Sequence, residues 1–357
     1  MIRLKAYAFP LLFFLGVTAA SLLASLRWSG VYHVSFWTLF ITLILFLVLY
    51  PVTMHVSRDG RDVAWARIPF ILFSYVAGAL YLFFLATLVE WLFAQPFPSL
   101  ERHTAWILPA ATTLLFLLAL VRARTFRVKR LTLPLDGLKK PVRLVHLSDL
   151  HLGAILKKPF MTRVAAKLQG LEPDIIAVTG DVFDGTGNPS EKDLEPLASL
   201  KKPVLACLGN HDGYYGYDKS ASLLERAGVT VLRNNTVKKK GVRIGGLDAP
   251  LIATRHTAIR GLSKLKKPDV LLYHMPSQPG QAERKGVKLF LAGHTHAGQL
   301  FPFWIVVRLV FRYVHGPHHI GRMLLNVSAG TGSWGPPLRL GTAPEMTVIT
   351  LEPSSRP

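Results

Sequence analysis

Apolar residues form long unbroken runs in the first third of the chain and short ones after it, and the two patterns predict different elements. Four long runs stand out, roughly Tyr7 to Leu26, Val34 to Met54, Pro69 to Phe93 and Thr104 to Val121. Each approaches the ~20 residues that cross a bilayer as a helix. A cleaved signal peptide would account for the first run alone, and no small-residue cleavage site follows it, so the pattern predicts a multi-span anchor. Beyond residue 126 the pattern changes to that of a soluble α/β domain. "FRVKRLTLPL" alternates like an edge strand, and five later apolar runs read as buried strands: "VRLVHLSDLHLG" (142–153), "PDIIAVTGDVFDG" (173–185), "KPVLACLGNHDGYYG" (202–216), "DVLLYHMP" (269–276) and "VKLFLAGHTHAG" (287–298). Helical stretches separate them, the first from Lys158 to Leu168, which predicts an α/β layered core. Two parts follow: residues 1–126, with about four spans, and residues 127–357.

Charge gives the first part an orientation. Basic residues alternate between the connections: Arg3 and Lys5 precede the first run, Arg58, Arg61 and Arg67 lie between the second and third, and Arg122, Arg124, Arg127, Lys129 and Arg130 follow the fourth. The other two connections carry only Arg27 and Arg102. The excess of Lys and Arg on one side places both termini in the cytoplasm, with the chain multi-pass in an inner or plasma membrane. Glu90, the one acid within the apolar runs, sits near a run's end and is expected to be a solvated interfacial carboxylate.

The whole chain has 42 Lys and Arg against 21 Asp and Glu, a formal charge of +21 that lies mostly after residue 126. Such a surplus under a membrane suits the anionic inner leaflet and its lipids. The lysines at 238–240 and at 264, 266 and 267 have no interleaved aromatic residues and form no recognised module, which argues against nucleic acid as a partner. The single cysteine, Cys207, excludes an internal disulfide framework and reads as a buried strand thiol.

The candidate chemistry sits where the short apolar runs stop. Each ends on Asp, Asn or His, and loops at the carboxyl ends of strands in an α/β sheet converge on one rim. Asp149, His151, Asp181, Asn210, His274, His294 and His296 are therefore placed to meet. Alone, "DLH" or "GNHD" means little; five such pieces in order, each at a strand end, make a metal site the reading. Seven oxygen and nitrogen donors exceed what one tetrahedral ion needs and suit two adjacent divalent ions that share a carboxylate. The mixed hard and borderline donors, with no thiolate, admit Mn, Fe, Zn or Co.

In order and spacing, "DLH", "GDVFD", "GNHD", "YH" and "GHTH" resemble the motif blocks of the calcineurin-like metallophosphoesterase family. The resemblance implies a four-layer α/β/β/α sandwich of two sheets and hydrolysis of phosphodiester or monoester bonds at a dinuclear centre. It implies that Asp149, His151, Asp181 and His296 hold one ion, and that Asp181, Asn210, His274 and His294 hold the other. It gives His211 the role of proton donor or phosphate-binding group, steadied by Asp184. Asp212 has a weaker claim, and its default role is to support the ligands from behind or to shape the turn. The glycine- and proline-rich tail resembles the end of a bacterial subgroup. Membrane-associated members of the family include hydrolases of UDP-diacylglucosamine and general phosphodiesterases.

One segment narrows the substrate. The "GHTH" turn runs straight into residues 300–314, where Arg308 and Arg312 fall at i and i+4 and Phe303, Trp304, Val307 and Phe311 form an apolar flank if the segment is helical. This is the pattern of an interfacial helix whose arginines face lipid phosphates. Together with the anchor it predicts a lipid-linked or nucleotide-linked amphiphilic phosphoester as substrate. The rival readings are a phosphatase or nuclease acting on soluble substrates, and a non-catalytic metal-bound membrane sensor; a missing ligand position or a missing His211 would have favoured the sensor.

Overall fold

The computed structural model describes residues 22–29, 35–58, 64–94, 101–251, 259 and 261–354. The chain divides into two compact units, Met1–Leu120 and Val121–Pro357.

The first unit is helical, with helices Phe36–Arg58, Ala64–Ala94 and Glu101–Arg122. Among the described residues one helix, Arg67–Phe93, is long and apolar enough to cross a membrane, and Trp106–Arg122 is a shorter apolar helix. Four spans were expected; residues 7–21 of the first apolar run lie outside the described residues. Many described apolar side chains of this unit are exposed, Trp106 by 78% and Phe93 by 73%, while Trp28, Phe70, Leu82 and Leu108 are buried. Glu90 differs from expectation: it is buried, with Arg27 Nη2 2.5 Å from its Oε1 and Arg27 Nε donating to Oε2 at 3.0 Å. The only described acid inside the apolar runs is thus neutralised by the basic residue that the sequence places in an otherwise uncharged connection, as low dielectric requires.

The second unit is built on two six-stranded sheets. In chain order the strands are β1 (Arg127–Leu135), β2 (Val142–Leu147), β3 (Ile175–Thr179), β4 (Val204–Cys207), β5 (Thr230–Val231), β6 (Asn235–Lys239), β7 (Val242–Leu247), β8 (Val270–Tyr273), β9 (Leu289–Ala292), β10 (Gly316–Ile320), β11 (Met323–Val327) and β12 (Glu345–Pro353). One sheet runs β1-β12-β2-β3-β4-β5 and the other β10-β11-β9-β8-β7-β6. The predicted edge strand is β1, paired only with β12.

The strands read as continuous apolar runs because both faces of each sheet are covered. The period of two then sorts their side chains. Leu144, Ile175, Ala177, Leu205 and Cys207 meet Ile244, Leu272, Leu289 and Leu291 of the other sheet in one core, while Val145, Leu147, Ile176, Val178, Val204 and Ala206 face the opposite way. That outer face is covered by helix Lys158–Gln169, which buries Phe160, Met161, Val164, Ala165 and Leu168 at helical spacing, and by helices Glu191–Ala198 and Tyr217–Arg226. The outer face of the second sheet packs Leu271, Tyr273 and Phe290 against Ala282 of the short helix Pro279–Arg284. Cys207 lies in the intersheet core, and burial pushes its thiol up well beyond the ordinary range.

One polar cluster is buried between the sheets. Asn326 Nδ2 donates to His146 Nδ1 at 3.3 Å, so the His146 proton is on Nε2 and is given to Thr179 Oγ1 at 2.7 Å. Burial lowers the pKa of His146 to about 4, against a smaller upward pull from Glu345.

Candidate metal centre

Asp149, Asp181, Asn210, His274 and His294 lie just beyond β2, β3, β4, β8 and β9, and His151 and His296 follow two residues later on the same turns. Five of these residues, Asp149, His151, Asp181, His294 and His296, have positive φ between 48° and 72°. A non-glycine residue pays to sit there. Five such residues in one cluster mean that the turns are held in a costly shape so that side chains leaving parallel strands bend back toward a common point. Two glycines make room: a Cβ at Gly209 would overlap the Asp181 carboxylate, and one at Gly293 would overlap Ser148 and Asp149.

All seven predicted donors lie on this rim, and the six that are Asp or His form two linked groups. Asp149, His151 and His296 make one, with His151 Nε2 3.0 Å from His296 Nε2 and His296 Nε2 3.4 Å from Asp149 Oδ1. Asp181, His274 and His294 make the other, with His274 Nε2 3.0 Å from Asp181 Oδ2 and 3.2 Å from His294 Nδ1. The carboxylates join the groups: Asp181 Oδ2 is also 3.9 Å from His151 Nε2, and Asp149 Oδ1 is also 3.9 Å from His274 Nε2. The seventh donor, Asn210, is buried, and its Oδ1 has no hydrogen-bond partner. An orphaned buried carbonyl oxygen on a rim of converging imidazoles fits a metal ligand and is otherwise a cost of about 1–3 kcal/mol.

Hydrogen bonds behind the donors fix which nitrogen faces the site. His274 Nδ1 donates to the Thr179 carbonyl at 2.7 Å, leaving Nε2 free to bind. His151 Nδ1 donates to Asp184 Oδ1 at 3.1 Å with the same result. This changes the part expected of Asp184. Its carboxylate orients His151, and its backbone carbonyl accepts from His211 Nδ1 at 2.8 Å; the carboxylate is 3.8 Å from that imidazole. His211 is held again through its own amide, which donates to Asp181 Oδ1 at 2.8 Å. Asp212 stays behind the site, accepting from the amides of Gly209 and Phe183.

Without a cation the cluster shares protons unequally. Burial lowers the imidazoles of His294, to about 3, and of His296 and His211. Burial also acts on His274 and His151, but Asp181 for the first and Asp184 and Asp181 for the second outweigh it, and His274 rises to about 9. Burial would raise Asp181, yet the facing His274, His211 and His151 hold it well below the usual carboxylate range. The rim thus mixes lowered imidazoles at His294, His296 and His211 with His274 and His151, whose protons face Asp181 and Asp184, and with Asp149, whose carboxyl burial raises. A divalent ion that displaces those protons satisfies both kinds of group.

Three residues that the sequence did not flag complete the site. Arg339 is fully buried behind the last turn and donates to the carbonyls of His296 at 3.0 Å, Ala329 at 2.8 Å and Gly332 at 2.5 Å. Its only sequence signal is a lone cation between Leu338 and Leu340. Tyr214 and Trp334 flank His211, with ring centroids at 4.9 and 6.4 Å, and both are exposed, Trp334 by 50%. Gln299 ties the Trp334 loop to the metal turn: its Nε2 donates to the Trp334 carbonyl at 2.8 Å, and its Oε1 accepts from the Trp334 amide at 3.0 Å.

The segment after the turn forms helix Trp304–Val310, shorter than the span from 300 to 314, and none of its residues is buried. Arg312 lies outside the helix. Phe311 is buried, its ring 5.1 Å from that of His294, so the end of the apolar segment touches the rim.

Comparison with known proteins gives this geometry a context. The family model for calcineurin-like phosphoesterases matches residues 142–298. A metallophosphoesterase of Helicobacter pylori is 32% identical over 64% of this chain and 65% of its own length. One from Aquifex aeolicus is 32% identical over 63% of this chain and 92% of its own length. A Danio rerio relative named "Transmembrane protein with metallophosphoesterase domain" is 31% identical over 63% of this chain and 55% of its own length. The chain spans just under two thirds of the Helicobacter relative.

Proposed function

The chain belongs to the calcineurin-like metallophosphoesterase family of phosphoric-ester hydrolases, and on that premise we propose that it is a membrane-anchored dinuclear phosphodiesterase whose substrate is amphiphilic, lipid-linked or nucleotide-linked, of the UDP-diacylglucosamine kind. The observation that carries the substrate class is the rim itself: exposed Tyr214 and Trp334 stand beside His211. A purely polar substrate gains nothing from aromatic surface at the mouth of a charged site, whereas an acyl or nucleobase portion buries it.

Asp149, His151, Asp181 and His296 would hold one divalent ion, and Asp181, Asn210, His274 and His294 a second. The donor chemistry fits Mn, Fe, Zn or Co. Two such ions would polarise the phosphoryl group and acidify the attacking water. The chain's own residues do the rest. Thr179 and Asp184 lock His274 and His151 with Nε2 toward the ions. His211, its Nδ1–H given to the Asp184 carbonyl, would serve the leaving oxygen through Nε2 as the imidazolium, a form that burial makes scarcer near neutral pH while making its proton easier to give.

The anchor is proposed to be multi-pass, with residues 127–357 in the cytoplasm against the anionic inner leaflet. Support comes from the apolar helix Arg67–Phe93 and the shorter apolar helix Trp106–Arg122, the alternating basic residues, and relatives named as transmembrane. The test is hydrolysis of a bis-aryl phosphodiester by the full chain with added Mn. Asp181→Ala should abolish turnover and His211→Ala should lower kcat by roughly 10²–10⁴; unchanged turnover in Asp181→Ala overturns the dinuclear reading. Detergent-dispersed nucleotide-linked acyl sugars should be preferred over soluble nucleotides, and the reverse preference removes the substrate class.

A further inference from the structure

Beside the metal turn, and apart from it, the second unit holds a groove of about 820 Å³. It meets the turn only through Ala297, and none of the candidate metal donors lines it. Its walls carry Arg122, Arg127, Arg308 and Arg312, with His315 and His318. One carboxylate faces this set, Glu345, and it is already matched by Lys129 Nζ at 2.9 Å and His315 Nε2 at 2.8 Å. Among the described residues no acid pairs with any of the four arginines; Arg312 rests over the Tyr313 ring at 5.6 Å. His318 Nε2 is buried with no hydrogen-bond partner.

Four exposed guanidiniums line one concavity with no described carboxylate paired to them, and an anion that accepts several forked N–H donors, as a phosphate does, would match them. The groove is not simply polar, however. Trp304 and Phe301 share its lining and are exposed. From Trp304 the same helix continues into Ile305 and Leu309, the latter 73% exposed. A cationic pocket that opens along an uncovered apolar helix matches a phosphate headgroup joined to acyl chains.

We propose that this groove is a second, non-catalytic site for the phosphate headgroup of an anionic phospholipid, with the acyl chains laid along helix Trp304–Val310. Arg308, in the helix, and Arg312, beyond its end, act together because both line the one groove. The site does not depend on the metal centre or on the identity of the hydrolysed substrate.

The test uses the full chain in neutral detergent, in an Asp181→Ala background so that phosphate held by the metal centre does not contribute. Binding of dihexanoyl phosphatidic acid, dihexanoyl phosphatidylcholine and inorganic phosphate is measured by calorimetry. Phosphatidic acid should bind, and phosphatidylcholine and inorganic phosphate should each bind at least about tenfold more weakly. Replacing both Arg308 and Arg312 by Gln should weaken phosphatidic acid binding by at least about tenfold, at an unchanged unfolding midpoint. Arg127→Gln, at another arginine of the lining, gives an independent reading if that double variant is unstable. Inorganic phosphate binding as tightly as phosphatidic acid overturns the lipid assignment, and binding that neither the double variant nor Arg127→Gln weakens overturns the site. Loss of hydrolysis in Asp181→Ala with lipid binding retained separates this proposal from the catalytic one.

Discussion

Leu291 and Leu309 lie on either side of the same metal turn and in opposite surroundings. Leu291 is in the middle of β9, fully buried in the core between the sheets, and its strand delivers His294 to the rim. Leu309 is in helix Trp304–Val310, mostly exposed, with no buried neighbour in its helix. Between them the usual rule is inverted: Thr295 and His296 are buried while Trp304 and Ile305 are not. The difference teaches that hydrophobicity in this chain marks two separate things. In the sheets it marks what the fold conceals, and after the turn it marks what the fold leaves for something else to cover.

The strongest way to break that contrast is at Leu291. Removing a fully buried side chain from a two-sheet core costs its transfer energy and leaves a cavity, so Leu291→Ala should lower stability by as much as ~5 kcal/mol in denaturant titrations of the full chain in mild detergent. A loss below ~1 kcal/mol would mean that the intersheet core collapses freely and does not fix the rim.

Next comes Arg339, the polar counterpart of Leu291. Its guanidinium satisfies the carbonyls of His296, Ala329 and Gly332 in the interior, and a hydrogen bond to a charged donor is worth ~1.5–3 kcal/mol. Arg339→Met keeps the volume and removes the donors, and should cost about 4 kcal/mol. It should also weaken Mn binding, since the carbonyl of a candidate ligand loses its anchor. Equilibrium dialysis of Mn checks this; stability lost with Mn affinity intact would make Arg339 a purely structural residue.

These two residues show where the sequence is transparent and where it is not. Strands β2, β3, β4, β8 and β9 were legible because each is a short apolar run, and the rim was legible because each of those five runs broke on a metal-binding residue type; β5, β6, β7, β10 and β11 were not read from the sequence. Arg339 was not legible, since a single arginine between two leucines looks the same on a solvated strand edge as under a metal turn. Asp184 holds His211 through its backbone carbonyl and gives its carboxylate to His151, a division that the motif does not encode and only the distances reveal. Arg308 and Arg312 were expected on one helical face, but the helix stops at Val310, and a shared groove rather than a shared face unites them. Glu90 was expected in water and found its partner in Arg27, a contact remote in sequence that no local pattern encodes.

A third test probes the seam between the two sheets with pH. His146 is neutral in the fold, with its pKa lowered to about 4, whereas the unfolded chain titrates it near the model-peptide value of ~6.5. Between these values the unfolded chain binds more protons, so the contribution of His146 is complete above pH ~6.5 and falls away as pH drops toward 4, by about 3 kcal/mol in all. Other buried histidines titrate too, so the informative quantity is a difference. The stability gap between the wild type and His146→Asn should shrink by about 3 kcal/mol from pH 7.5 to pH 4. A gap independent of pH would place the cost elsewhere than in the protonation of His146.

The smallest effect is expected at Leu309, and it decides what the exposed helix is for. A side chain that the fold leaves in solvent has little transfer energy to lose, so Leu309→Ser should change the stability of the detergent-solubilised chain by no more than ~0.5 kcal/mol. The same substitution should weaken binding of long-chain phosphatidic acid more than that of the dihexanoyl form, because only long acyl chains reach along the helix. If Leu309→Ser instead costs more than ~1.5 kcal/mol, the helix packs against the chain itself, its apolar face is ordinary core, and the contrast with Leu291 disappears. If stability holds while long-chain binding weakens, the apolar residues after the metal turn are a surface kept uncovered for lipid, beside a turn whose His296 is buried.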